Sequence, residues 1–124
     1  MSIRSLHSLK PIIHESARSQ LTEQVSAVVK RLLSLIERVA QGYKIHTTRV
    51  EFTGAVDPDE NTQELVITQW VEASAGKALR FWDQLGAEIT AWTRTLPKQQ
   101  AGIVDDRIAV EVRWERDDAA TDPV

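Results

Sequence analysis

The sequence predicts an α+β fold, a two-layer sandwich with its elements in the order α-β-β-α-β. Two long segments repeat apolar side chains at spacings of three and four, which is typical of amphipathic helices. Three shorter segments carry the β-branched and alternating patterns of strands. A chain of 124 residues is long enough for one domain that buries about two-thirds of its unfolded surface.

The first helix is predicted from Ser16 to Gln41. Its apolar stripe recurs every three or four residues and comprises Leu21, Val25, Val28, Leu32, Leu35, Ile36 and Val39. Gly42 follows at once. We expect Gly42 to adopt the left-handed conformation that ends many helices.

The first two strands are predicted as a hairpin. Residues 45–54 alternate, with His46, Thr48, Val50 and Phe52 on the inward side and Thr47, Arg49, Glu51 and Thr53 on the outward side. Residues 55–63 are rich in turn-forming types and are predicted to be the hairpin loop. The second strand, 64–72, is partly apolar on both sides, which predicts that both of its faces are covered.

The second helix is predicted from Ala75 to Thr95, with Ser74 as its N-cap and Pro97 ending it. Its stripe is predicted to pack on the sheet and comprises Ala78, Phe81, Trp82, Leu85, Ile89, Trp92 and Leu96. Gly86 weakens a helix, so we expect the first helix to approach closely there. Residues 98–106 are predicted to be a connection with at most one helical turn at Ile103 and Val104.

The third strand is predicted over 107–115, with Arg107, Ala109, Glu111 and Arg113 facing outward. A right-handed crossover predicts a three-stranded, mainly antiparallel sheet of order 2-1-3, with both helices on one face. The domain is predicted to span 15–116. Residues 1–14 are predicted to be an apolar arm, and residues 117–124 a disordered acidic tail.

The outward face of the sheet is the predicted interaction surface. Trp70 lies there on the predicted alternation, with Val66, Arg49 and Arg113, and tryptophan and arginine are enriched at interaction hot spots. Three explanations for Trp70 stay open. The N-terminal arm covers it, a second copy or another protein covers it, or Trp70 faces the core instead.

No motif for catalysis, cofactor binding or metal binding is found. The chain has no cysteine, which excludes disulfides and thiolate chemistry. Asp57, Asp59 and Asn61 match the start of a calcium loop, but Thr62 and Thr68 stand where glycine and glutamate are needed. His46 is predicted to be a partly buried structural histidine. No residue is assigned a catalytic role, and whether the protein is an enzyme stays open.

Three functions follow as hypotheses. The first is a small interaction protein that forms a homodimer, or binds another protein, through the Trp70 face, the arm, or the edge of the second or third strand. The second is a small-molecule-binding protein or enzyme with a pocket between helices and sheet near His46 and Trp82. The third is RNA binding on the outward face, which the net charge of −3 disfavours. No membrane span is predicted, and we expect a cytoplasmic protein.

Overall fold

A computed structural model of the chain describes residues 10–57, 59 and 62–114. In chain order its elements are β1 (Ile12–Ile13), α1 (Glu15–Arg18), α2 (Glu23–Gly42), β2 (His46–Asp57), β3 (Thr62–Glu72), α3 (Ala75–Thr93), α4 (Lys98–Arg107) and β4 (Ile108–Trp114). The α+β class is therefore confirmed. Residues 1–9 of the predicted arm (1–14) and the predicted tail over 117–124 lie outside the described residues.

The four strands form one mixed sheet of order β1-β2-β3-β4. The β2–β3 hairpin is antiparallel, whereas β1–β2 and β3–β4 are parallel pairs. The predicted three-stranded 2-1-3 sheet is wrong, because the second predicted strand, β3, lies in the interior. The short strand β1 occupies the edge of β2 on which β4 was expected. The two faces of β3 are not covered equally, because Leu65, Ile67 and Val71 are fully buried against the helices whereas Val66 and Trp70 on the other face are half-buried.

A β-bulge at Thr48 changes the faces at the start of β2. The register slips between Thr47 and Arg49, and the Thr48 hydroxyl donates a hydrogen bond of 3.2 Å to the Trp70 carbonyl oxygen. Thr47 therefore points inward, where its hydroxyl accepts a 2.8 Å hydrogen bond from the side-chain amide nitrogen of the buried Gln69. His46 is exposed rather than inward. An extra residue in one strand reverses the sheet face to which the preceding side chains of that strand point. The alternation of apolar and polar residues in the sequence does not reveal such a bulge.

The first predicted helix is interrupted, with the short α1 before Ser19 and α2 after Thr22. The Thr22 hydroxyl accepts a hydrogen bond from the Val25 amide at 3.3 Å and so begins α2. The left-handed residue after α2 is Lys44, with φ of 55°, and not Gly42 as predicted. The Ile45 amide then bonds to the Ala40 carbonyl and the Lys44 amide to the Gln41 carbonyl, which is the Schellman arrangement.

The second long helix begins as predicted, since the Ser74 hydroxyl accepts a hydrogen bond from the Lys77 amide. It ends at Thr93. The connection that follows is a ten-residue helix, α4, which begins after Pro97 and buries Ile103 and Val104. The prediction of at most one turn was therefore wrong.

The core lies between the helices and one face of the sheet. Buried side chains of α2 and α3 pack there with inward residues of three strands, among them Val50, Phe52, Leu65, Ile67, Val71, Ile108 and Val112. On α3, Phe81 and Leu85 are fully buried and Trp92 is half-buried, but Trp82 is exposed. The predicted core position of Trp82 is wrong, because it lies at the edge of the buried stripe, on the side towards β4.

Candidate interaction surface at the β4 edge

Strand β4 forms one edge of the sheet. Its seven residues pair with β3 on one side, from Leu65–Ile108 to Val71–Trp114. In the part of the chain that the structure describes, no strand pairs with its other side. Proteins commonly blunt such edges with proline, lysine or a bulge, and β4 has none of these. This edge is therefore open to pairing with another strand.

Three of the four tryptophans of the chain gather around the end of β4. Trp114 is on β4 itself, Trp82 on α3 and Trp70 on the outward face of β3, and together they line a groove of about 490 Å³ with Val112 and the charged pair Glu111 and Arg113. Tryptophan supplies a large apolar contact area and is enriched where proteins bind each other. The groove follows the open strand edge.

The flank of α3 beside β4 is apolar and exposed. Leu79 is 51% exposed and Trp82 is 36% exposed, although both are large hydrophobic side chains. Gly86 follows one turn after Trp82, and among the described residues no atom lies within 4 Å of the position its Cβ would take. The expected close approach of the first helix at Gly86 is therefore wrong. A glycine in mid-helix costs about 1 kcal/mol relative to alanine, and no contact within the described chain accounts for it.

The outward face of the sheet carries two rows of polar side chains that run across the strands. One row is Glu51, Thr68 and Glu111, since Thr68 is opposite both glutamates. The Thr68 hydroxyl and the Arg113 Nε both donate to Glu111 Oε1, at 3.1 and 3.0 Å. The row therefore presents hydrogen-bond acceptors up to the β4 edge.

The second row is Arg49, Trp70 and Arg113, with Trp70 opposite both arginines. The Arg49 guanidinium carbon lies 4.4 Å from the centre of the Trp70 ring, and Arg49 Nε lies 2.8 Å from Glu51 Oε2. The Trp70 indole N–H is buried and has no hydrogen-bond acceptor among the described residues. This row presents cations and an aromatic ring up to the same edge.

The structure places all four residues of the predicted interaction surface on this outward face. Trp70, Arg49 and Arg113 share one row, and Val66 is on the same face further along β3, opposite Ala109. Trp70 and Val66 are half-buried rather than fully exposed. Sequence reasoning missed the α3 residues Leu79 and Trp82, which adjoin the edge from the other side of the sheet.

His46, near which a pocket was predicted, is exposed. A cavity between the helices and the sheet lies beside Ile108 and Val110, at the end of β4 away from Trp114. That cavity, of about 540 Å³, is lined by residues of α2, α3, α4 and β4, including Leu32, Ile89, Thr93, Arg94, Asp105 and Val110. Gly86 and Thr90 line this cavity and also a shallow groove with Leu79 and Trp82, so the cavity adjoins the exposed flank of α3.

The other edge of the sheet differs from β4. Strand β1 has only two residues, Ile12 and Ile13, which are 45% and 41% exposed. Pro11 precedes them, and proline has no N–H to give to a neighbouring strand. The β1 edge is therefore short and partly blocked, and β4 offers the longer template for pairing.

Within residues 10–57, 59 and 62–114, no group of three or more His, Asp or Glu side chains is placed to hold a metal ion. The side chains of Asp57 and Asn61, from the partial calcium match, lie outside what is described. No helix in the described part of the chain is long and apolar enough to cross a membrane.

Comparisons of this chain with protein-family models, curated proteins and solved structures find no significant match.

Proposed function

We propose that this protein is a small interaction protein that forms a homodimer through the β4 edge and the adjoining flank of α3. The observation that carries the proposal is the convergence of Trp70, Trp82 and Trp114 on a strand edge that no other described strand pairs with. Pairing of two β4 strands would continue the sheet across the two subunits. Among the surfaces expected from sequence, this one corresponds to the edge of the third predicted strand.

A second copy suits this edge because the strand can pair with itself. Two antiparallel β4 strands related by a two-fold axis would form hydrogen bonds with each other's unpaired backbone groups. Closed two-fold dimers are also the commonest oligomers. The axis would be perpendicular to the sheet, so the helices of both subunits would lie on one face of it. The exposed flank of α3 would then face the same flank of the partner's α3.

The α3 flank supports the same arrangement independently. Leu79 and Trp82 would become buried between the two α3 helices. Gly86 lines one groove with Val110, whereas Trp82 lines another with Val112 and Trp114, so both positions lie beside β4. A two-fold axis between two β4 strands would bring this stretch of α3 close to the same stretch of the other subunit. The absence of a side chain at Gly86 allows close approach of two helices.

Sedimentation equilibrium of the wild-type chain and the Leu79→Glu variant tests the proposal. We expect the wild type to associate to twice its 14.0 kDa mass. Burying a leucine is worth about 1.5–3 kcal/mol, so Leu79→Glu should raise the dimer dissociation constant by about tenfold or more. Leu79 is already half-exposed, so the fold of the subunit should survive, which circular dichroism checks.

Ala91→Glu is the matched control, because Ala91 is exposed on the side of α3 away from β4. It introduces the same charge on the same helix, and the dissociation constant should stay within about twofold of the wild type because surface substitutions have small effects. A wild-type chain that stays at 14.0 kDa at all concentrations would refute the homodimer. Equal effects of Leu79→Glu and Ala91→Glu would refute the role of the α3 flank.

A further inference from the structure

We infer that the two β4 strands pair in one register, with Val112 opposite the Val112 of the second copy. This inference rests on the proposed homodimer and adds the alignment of its strands. The two faces of β4 differ, since Val110, Val112 and Trp114 point to the core side and Ala109, Glu111 and Arg113 point outward. Residues directly opposite in an antiparallel pair share a face, so only registers that match like faces are allowed.

Charge decides among the allowed registers. With Val112 on the axis, each Glu111 lies opposite the Arg113 of the other copy, and each Val110 lies opposite a Trp114. A shift by one pair in either direction puts either two Glu111 carboxylates or two Arg113 guanidinium groups directly opposite each other. Opposite charges across strands stabilise a sheet and like charges destabilise it. Of these three registers, the Val112 register is the one in which both the outward and the inward pairs are complementary.

The same register joins the two polar rows of the outward face. The row Glu51–Thr68–Glu111 of one subunit continues into the row Arg113–Trp70–Arg49 of the other. Two-fold symmetry makes the reverse junction as well, so the face carries two such rows of six residues. Glu111 already accepts hydrogen bonds from Thr68 and its own Arg113, and so it is held on this face at the edge. Carboxylate and guanidinium groups therefore meet twice at the junction.

Charge reversal in separately purified chains tests the register. Glu111→Lys alone puts two cations opposite each other twice per dimer, and Arg113→Glu alone does the same with two anions. Each variant should therefore self-associate about tenfold more weakly than the wild type. A mixture of the two variants pairs the introduced lysine with the introduced glutamate and the native Arg113 with the native Glu111. The mixture should recover dimers, detected by native mass spectrometry, and so should the double variant by itself.

The mixing experiment separates an effect across the interface from one within a subunit. Each mutant chain keeps its own defect in the mixture, so recovery must come from the partner. Glu51→Lys is the matched control. Glu51 and Arg49 are two residues apart and form an ion pair, as Glu111 and Arg113 do, but they lie on β2, which has a strand on each side and is not at the proposed interface. It should not change self-association, alone or mixed.

The outcomes distinguish the register from the dimer itself. Preferential pairing of Glu111→Lys with the wild type would mean that Glu111 faces Glu111, and preferential pairing of Arg113→Glu with the wild type would mean that Arg113 faces Arg113. Either result, or a wild-type dimer insensitive to all of these charges, overturns the register but leaves the dimer. A wild type that never associates removes the proposed function as well.

Discussion

The guanidinium carbon of Arg49 lies 4.4 Å from the centre of the Trp70 ring, across the antiparallel pair of β2 and β3. The same arginine approaches Glu51 with its Nε, at 2.8 Å. Trp70 thus has one ring face covered by a side chain of its own sheet. This contact explains how a tryptophan is kept half-buried on the face of the sheet that the helices do not cover.

Substitution of Arg49 by glutamine should expose Trp70 and lower the free energy of unfolding. A cation–π contact at a partly exposed site is worth about 0.5–1 kcal/mol, and the loss should be of that size. Urea denaturation measures it, and Trp70 emission should shift to longer wavelength. Glu51→Gln removes the ion pair but keeps the stacked ring, so its effect should be smaller. Equal losses from both variants would assign the stability to the ion pair.

Gly54→Ala should destabilise the subunit. A Cβ at this position would overlap the carbonyl oxygen of Ser16, whose hydroxyl also accepts a 2.9 Å hydrogen bond from the Gly54 amide. Overpacking of this kind costs about 1–3 kcal/mol, because backbone must move. Thermal and urea unfolding give the value. A variant as stable as the wild type would show that α1 does not sit against β2 as described.

The end of α2 gives a prediction in which two neighbouring positions are compared. Lys44 is the left-handed residue, so Lys44→Gly should raise the free energy of unfolding by about 0.5–1 kcal/mol. Gly42 is the last residue of α2, has negative φ and has no atom of the described residues within 4 Å of where its Cβ would be, so Gly42→Ala should also stabilise. Destabilisation by Gly42→Ala would instead support the left-handed conformation that the sequence alone predicts for Gly42.

Gly86 and Gly102 separate helix propensity from contact with a second copy. Both lie within helices, and among the described residues no atom lies within 4 Å of where a Cβ would be, so alanine at either should stabilise an isolated subunit by about 1 kcal/mol. Only Gly86 lies on the α3 flank that the proposed dimer buries. Gly86→Ala should therefore weaken self-association several-fold, measured by sedimentation, whereas Gly102→Ala should not. Equal dissociation constants for the two variants would remove Gly86 from the interface.

Much of the fold could be predicted because its signals are local. The spacing of apolar residues predicted both long helices, and Ser74 marked the start of α3 through its N-cap hydrogen bond. The sheet order could not be predicted, because it depends on which edge β1 occupies, and a two-residue strand carries almost no pattern. The bulge at Thr48 also has no recognisable sequence pattern. Because of it, His46 and Thr47 point to the sheet faces opposite to those predicted.

The candidate surface was predictable only on its strand side. Alternation along β3 and β4 put Trp70 and Arg113 on one face, and the structure places them opposite each other. The α3 side was missed because Trp82 fits the apolar spacing of the buried stripe as well as Phe81 does. Which of the two reaches the core depends on the position of α3 over β4, and that is set by packing in three dimensions. Exposure of Leu79 and Trp82 was therefore visible only in the structure.

Amide hydrogen exchange of the wild-type chain at increasing protein concentration tests the central claim most directly. Pairing with a second copy should slow exchange of those amides of residues 110–114 that point away from β3 as concentration rises, while β2 amides stay unchanged. Protection of β4 that is independent of concentration, or concentration-dependent protection at Ile12–Ile13 instead, would contradict the β4 edge as the site of self-association.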